Sequence, residues 1–162
     1  GLSNVKKDEY IKLHQSYLNE YIKFADAKAL AIISINGFIL NFNFSKRNIK
    51  FHNTEDIFNF TAFILLIITI ILAAFAVYPR TNNRSEKGII FWDNINSMGE
   101  KEFIEKVKFE KEEELLEKTI QQNYFLAKTA SMKYSIIRKV FIISALGYSC
   151  LLFSSIFQII CS

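Results

Sequence analysis

Charge is missing from two long stretches of this chain. Residues 57–78 and 140–161, 22 in each, contain no Asp, Glu, Lys or Arg, and each meets the roughly 20 residues that a helix needs to cross the hydrocarbon of a bilayer. A wholly soluble domain is thereby excluded. Proline is absent except at Pro79, and the helical pattern after Phe24 meets neither glycine nor proline before Gly37, so nothing interrupts a helix there. The two cysteines, Cys150 and Cys161, fall in or at the end of the last apolar stretch, and His14 and His52 stand alone. Without CxxC or Cys/His spacing, no disulfide framework and no metal site is expected. There is no Gly-rich phosphate loop, no nucleophile with a nearby base and no paired-carboxylate cleft, so no catalytic residues, no cofactor and no enzyme are expected. The N-terminus lacks the basic, apolar, small-residue order of a signal peptide, which predicts no cleavage.

What is present is segregated. Residues 79–139 carry 22 of the 36 formal charges, 12 basic and 10 acidic, so a water-facing body hangs between lipid-facing spans. The net charge of +4 sits mostly where lipid headgroups would be, and a nucleic-acid polymer is not needed to explain it. From Asp8 to Phe24, the residues Tyr10, Leu13, Tyr17, Tyr21 and Phe24 follow steps of three and four, which predicts one apolar helix face in need of a partner.

That helix is expected to run on through 29–44, a candidate first span of 16 uncharged residues. Ser34, Asn36, Asn41 and Asn43 make it wetter than a lipid-facing helix should be, which places it inside a bundle. The connector 45–56 ends in Thr54, Glu55 and Asp56, a predicted cap and dipole-complementing start for the second span. That span stops before Pro79, since a residue preceding proline disfavours helix. GIIFWDNI, residues 88–95, reads as a strand or an interfacial loop. A brief charged helix is expected over 100–108.

A much longer helix follows from Glu110 to Ile160. It carries a heptad-like seam of Leu116, Ile120, Asn123, Ala127, Ala130, Tyr134 and Ile137, and the aromatic face of residues 10–24 is its expected mate. Nine basic residues flank the spans on the side of the N-terminus and 79–139, against three in the connector, which orients both toward the cytoplasm.

The fold class expected is therefore an all-α membrane protein, in which three transmembrane helices extend into a cytoplasmic helical bundle and assemble as a homo-oligomer. Its parts are a cytoplasmic amphipathic helix (1–28), the first two spans with a short external connector (29–78), a cytoplasmic helical sensing region (79–139) and the third span (140–162).

The segment FADAKALAIISINGFIL at 24–40, then VYPR at 77–80, FWDNI at 91–95 and KY at 133–134 in a long helix form an ordered set. It resembles the transmembrane effectors of bacterial Pycsar antiphage systems. The resemblance implies a helical multi-pass protein of the bacterial inner membrane that responds to a cyclic nucleotide made on infection, a cyclic pyrimidine monophosphate in Pycsar systems. It then impairs the membrane, as in abortive infection. Trp92 departs from the family, which often has a small residue before the aspartate, and its ring would narrow or fill a pocket there.

Each candidate residue has an ordinary reading beside the functional one. Arg80 is a stop-transfer anchor or a phosphate contact through two parallel hydrogen bonds. Phe91 and Trp92 are an interfacial aromatic belt or a stacking platform for a base. Asp93 caps the next turn or accepts from a base or sugar. Lys133 and Tyr134 pack and anchor the long helix or touch the ligand. Asp26 and Lys28 anchor the first helix in the headgroups or form a gate. Ser34, Gly37 and Asn41 share a helical face that serves close packing or lines a water path in an oligomer. The leading reading is a nucleotide-triggered membrane effector; a constitutive scaffold docking a protein partner and a small channel or transporter subunit are the alternatives.

Overall fold

The computed structural model describes residues 2–45, 53–78, 95–96 and 98–161. Among them are four helices of ten residues or more and no strand: α1 (Leu2–Phe44), α2 (Thr54–Val77), α3 (Glu100–Phe109) and α4 (Glu112–Cys161). Helices α1, α2 and α4 are each long and apolar enough to cross a membrane, the three spans the sequence predicts.

Local chemistry sets the ends. The N-cap of α2 is Asn53, one residue before the predicted cap, with extended backbone (φ −130°, ψ 162°). Its own N–H donates to Asp56 Oδ2 at 3.4 Å, and Glu55 and Asp56 lie in the first turn, where acids favour the helix dipole. The helix stops at Tyr78 (φ −54°, ψ 124°), the extended conformation that a following proline imposes. Helix α3 carries Glu100 and Glu102 in its first turn and Lys106 and Lys108 in its last, with a Lys106–Glu102 ion pair at 3.4 Å. At Glu110 the backbone turns extended (φ −74°, ψ 135°), and Glu110 pairs with Lys118 of α4. Helix α4 then runs 50 residues, about 75 Å at 1.5 Å per residue.

The chain divides into two compact units, Gly1–Ile22 with Pro79–Ser131, and Lys23–Tyr78 with Met132–Ser162. In the first, Ile11 and Leu18 of α1, Asn123 and Ala130 of α4, and Met98 are buried. Asn123 Nδ2 donates to the Ile11 carbonyl at 3.1 Å, so a polar seam residue fixes how the two helices meet.

In the second unit the inward faces follow steps of four and three and are built mostly from small or polar residues. Ala25, Ala29, Ile32 and Asn36 face inward on α1; Ala62, Leu66, Thr69, Ala73 and Ala76 on α2; and Lys133, Ile137, Val140 and Ser144 on α4. Seven of these form one apolar core: Ala25, Ala29, Ile32, Ala73, Ala76, Ile137 and Val140. Small side chains let helices approach closely where lipid offers no hydrophobic drive. At Gly147 the approach is close, since an added Cβ would stand 3.1 Å from Leu66 Cδ2.

The expected packing face of α1 is overturned. Tyr10, Leu13, Tyr17, Tyr21 and Phe24 are all exposed, and the buried positions Ile11, Leu18 and Ala25 lie one residue further along, a rotation of about 100°. Size misled the prediction: α1 turns its small residues inward at Ala25 and Ala29, and the seven-residue step from there reaches Leu18 and Ile11. The α4 seam is borne out at Asn123, Ala130 and Ile137, but Ile120 is exposed. The first span was expected to bury its polar residues; only Asn36 is buried, with Ser34 and Asn41 exposed.

Candidate functional site

The conspicuous charge in the second unit is Lys133, which is only 7% exposed. Its ammonium donates to Asp26 Oδ1 of α1 and to the Ala76 carbonyl of α2 at 2.7 Å. Ala76 lies in the last turn of α2, where carbonyls lack a partner within the helix. One lysine thus neutralises an aspartate, closes a helix C-terminus and ties three helices together. An ammonium suits this job because it is a compact point charge with three donors. Two residues on from Asp26, and so on a different side of α1, Lys28 Nζ lies 5.3 Å from the centre of the Tyr134 ring, a cation–π contact.

Two groups that the sequence assigned to separate roles therefore converge. Asp26 and Lys28, read as a gate, each meet one member of the Lys133–Tyr134 pair, read as ligand contacts. Arg80, Phe91, Trp92 and Asp93 lie outside the described residues, as do Arg84, Lys87 and the stretch 88–94. Of the remaining candidates, Ser34 donates back to the Leu30 carbonyl at 3.0 Å, Asn41 is exposed, and Gly37 has open space where a Cβ would stand.

Ten residues further along α1, about 15 Å at 1.5 Å per residue, Asn36 anchors a second constellation that the sequence reading did not assemble. Its Nδ2 donates to Thr69 Oγ1 of α2 at 2.6 Å and to Ser144 Oγ of α4 at 3.0 Å, and its Oδ1 accepts from the Tyr148 hydroxyl. Thr69 in turn donates to the Leu66 carbonyl at 2.7 Å. Asn36 and Thr69 are fully buried, and every polar arm of the amide has a partner, as burial requires.

Other polar residues of the spans behave differently. Thr61, Ser149 and Ser155 each donate to the carbonyl four residues back, at 2.8, 2.9 and 3.0 Å, satisfying themselves within one helix. An inward asparagine at the four-and-three spacing of Ala25, Ala29 and Ile32 was the signal that could have found the cluster.

These features define a helical, multi-span membrane protein with a charged tie and a hydrogen-bonded polar knot between its spans. The family model described as the Pycsar effector protein domain matches residues 11–160, and the chain belongs to that family. It is 99% identical over 158 residues, 98% of this chain and all of the relative, to the Pycsar effector protein SaPycTM of Staphylococcus aureus. No solved structure matches it.

Proposed function

We propose that the chain is an antiphage defence effector of the bacterial inner membrane, which responds to a cyclic nucleotide and then impairs membrane integrity without catalysing a reaction. The N-terminus and residues 79–139 face the cytoplasm in this reading. Family membership supports the class of activity, and the observation that carries the mechanism is the Lys133 tie to Asp26 and Ala76. A bond that joins all three spans at a single ammonium is a point where a shift in helix packing changes all of them.

The nucleotide has to prefer one packing over the other, because equal affinity for both would shift nothing. A phosphate carries negative charge, so Arg80, together with the lysines and arginines that follow the second span, is the proposed cytoplasmic neighbour of the ligand. Dye-loaded vesicles containing the protein are expected to leak on addition of a cyclic pyrimidine monophosphate and to stay sealed without it. Leak without nucleotide would favour a channel, and no leak in either case a scaffold. Arg80→Ala is expected to abolish the response with insertion unchanged; an unaltered response would remove Arg80 from the site.

A further inference from the structure

The buried polar groups of the span unit lie at three levels. The first is the Lys133 ammonium with Asp26 and the Ala76 carbonyl, and the second is the cluster of Asn36, Thr69, Ser144 and Tyr148. At the third, the buried Ser154 donates across to the Glu55 carbonyl of α2 at 3.5 Å. All of these residues belong to one compact unit. Lys133 and Ser154 on α4 are 21 residues apart, as are Glu55 and Ala76 on α2. That distance is about 32 Å at about 1.5 Å per residue, close to the ~30 Å of a hydrocarbon core. The second level therefore sits near the bilayer centre, where polar groups are costly and mark function.

Between the levels the interior is dry and thin. Ala29 and Ile32 of α1, Ala73 of α2, and Ile137 and Val140 of α4 form the first apolar layer, which falls between the same two polar levels on all three helices. The second layer is Leu66, fully buried, against Gly147 of α4. One polar level is enough to set helix register. Three, spread over the bilayer thickness, lay out hydrogen-bonding groups from one face to the other, with a few branched side chains interrupting them. Hydrophobic constrictions of this kind close a path by excluding water.

We propose that this interior is the route by which water and small polar solutes, inorganic ions included, cross when the effector is active, with the Val140 layer and Leu66 as its two resting seals. As the helices part, Asn36, Thr69 and Ser144 exchange their mutual hydrogen bonds for water, so these groups are not left unpaired in lipid. Opening in response to a nucleotide rests on the effector reading; the position of the route rests on the three levels.

The test uses the full chain with Cys150→Ser and Cys161→Ser, in phosphatidylethanolamine/phosphatidylglycerol vesicles without nucleotide. Val140→Thr and Leu66→Asn keep the side-chain shape and give each seal a polar group. Together they are expected to raise potassium efflux by ~10-fold, a barrier lower by about 1.4 kcal/mol, with helix content and insertion retained. Ile71→Thr with Leu146→Asn, at positions 50% and 54% exposed, is expected to leave efflux unchanged. With Leu66 intact, Val140→Thr is expected to let a membrane-impermeant methanethiosulfonate reach Ser144→Cys ~10-fold faster without any leak, and this single exchange decides should the double variant not insert. Unchanged efflux from the inserted double variant, equal efflux from the exposed pair, or labelling of Ser144→Cys indifferent to Val140→Thr would overturn the route. Because no nucleotide is present, failure of the nucleotide-triggered dye leak would sink the effector reading and leave these outcomes standing.

Discussion

The unit containing the three spans and the unit built from the ends of α1 and α4 are held by different means. In the span unit, small-residue faces meet closely and the buried amide of Asn36 is satisfied on every arm. In the other unit the described residues bury Ile11, Leu18, Met98, Asn123 and Ala130, and Asn123 Oδ1 is buried without a hydrogen-bond partner among the described residues. The difference teaches where packing can shift at little cost. A fully paired polar cluster resists rearrangement, whereas a seam with an orphaned acceptor gives way more readily.

The contrast can be broken most forcefully at Asp26. Asp26→Ala leaves the Lys133 ammonium buried with only the Ala76 carbonyl, and removing one partner of a buried pair costs about 3 kcal/mol. Equilibrium unfolding in mixed micelles should show the loss, and Lys133→Met added to Asp26→Ala should recover much of it. Recovery would mean that the penalty was an unpaired charge rather than lost packing.

Asn36→Ala should cost ~2 kcal/mol in the same measurement, because Thr69 Oγ1, Ser144 Oγ and the Tyr148 hydroxyl all lose a partner. Asn123→Leu, by comparison, should stay within about 1 kcal/mol, since half of that amide already goes unpaired. If Asn123→Leu proved as damaging as Asn36→Ala, the two units would not differ in the way described. The smallest pair of effects concerns the glycines. Gly147→Ala should destabilise by ~1 kcal/mol as Leu66 gives way, and Gly37→Ala, in open space, should stabilise by up to ~1 kcal/mol through helix propensity.

Much of the architecture could be read along the chain. The uncharged run 57–78 became α2 within a few residues, and Pro79 marked its end because its effect on Tyr78 is local. The continuous helix from 112 to 161 was legible for the same reason, since no residue in it breaks helical geometry. The rotation of α1 was not legible. Both the Tyr10 and the Ile11 faces are periodic, and choosing between them required knowing that Ala25 and Ala29 set the distance between helices. Likewise Asp26, Lys28, Lys133 and Tyr134 were each identifiable as polar residues near a membrane boundary, yet nothing local joins residue 26 to residue 133.

Length, charge segregation and helix-breaking residues act within one segment, so the sequence alone determined that this is a helical membrane protein with three helices long and apolar enough to span, and where each helix stops. The tertiary structure alone decided which face of α1 turns inward, that Lys133 meets Asp26 and Ala76, and that Asn36, Thr69, Ser144 and Tyr148 share one cluster. Those choices rest on close approach and hydrogen bonding between segments 33 to 112 residues apart, and separations of that size leave no periodic trace in any single helix.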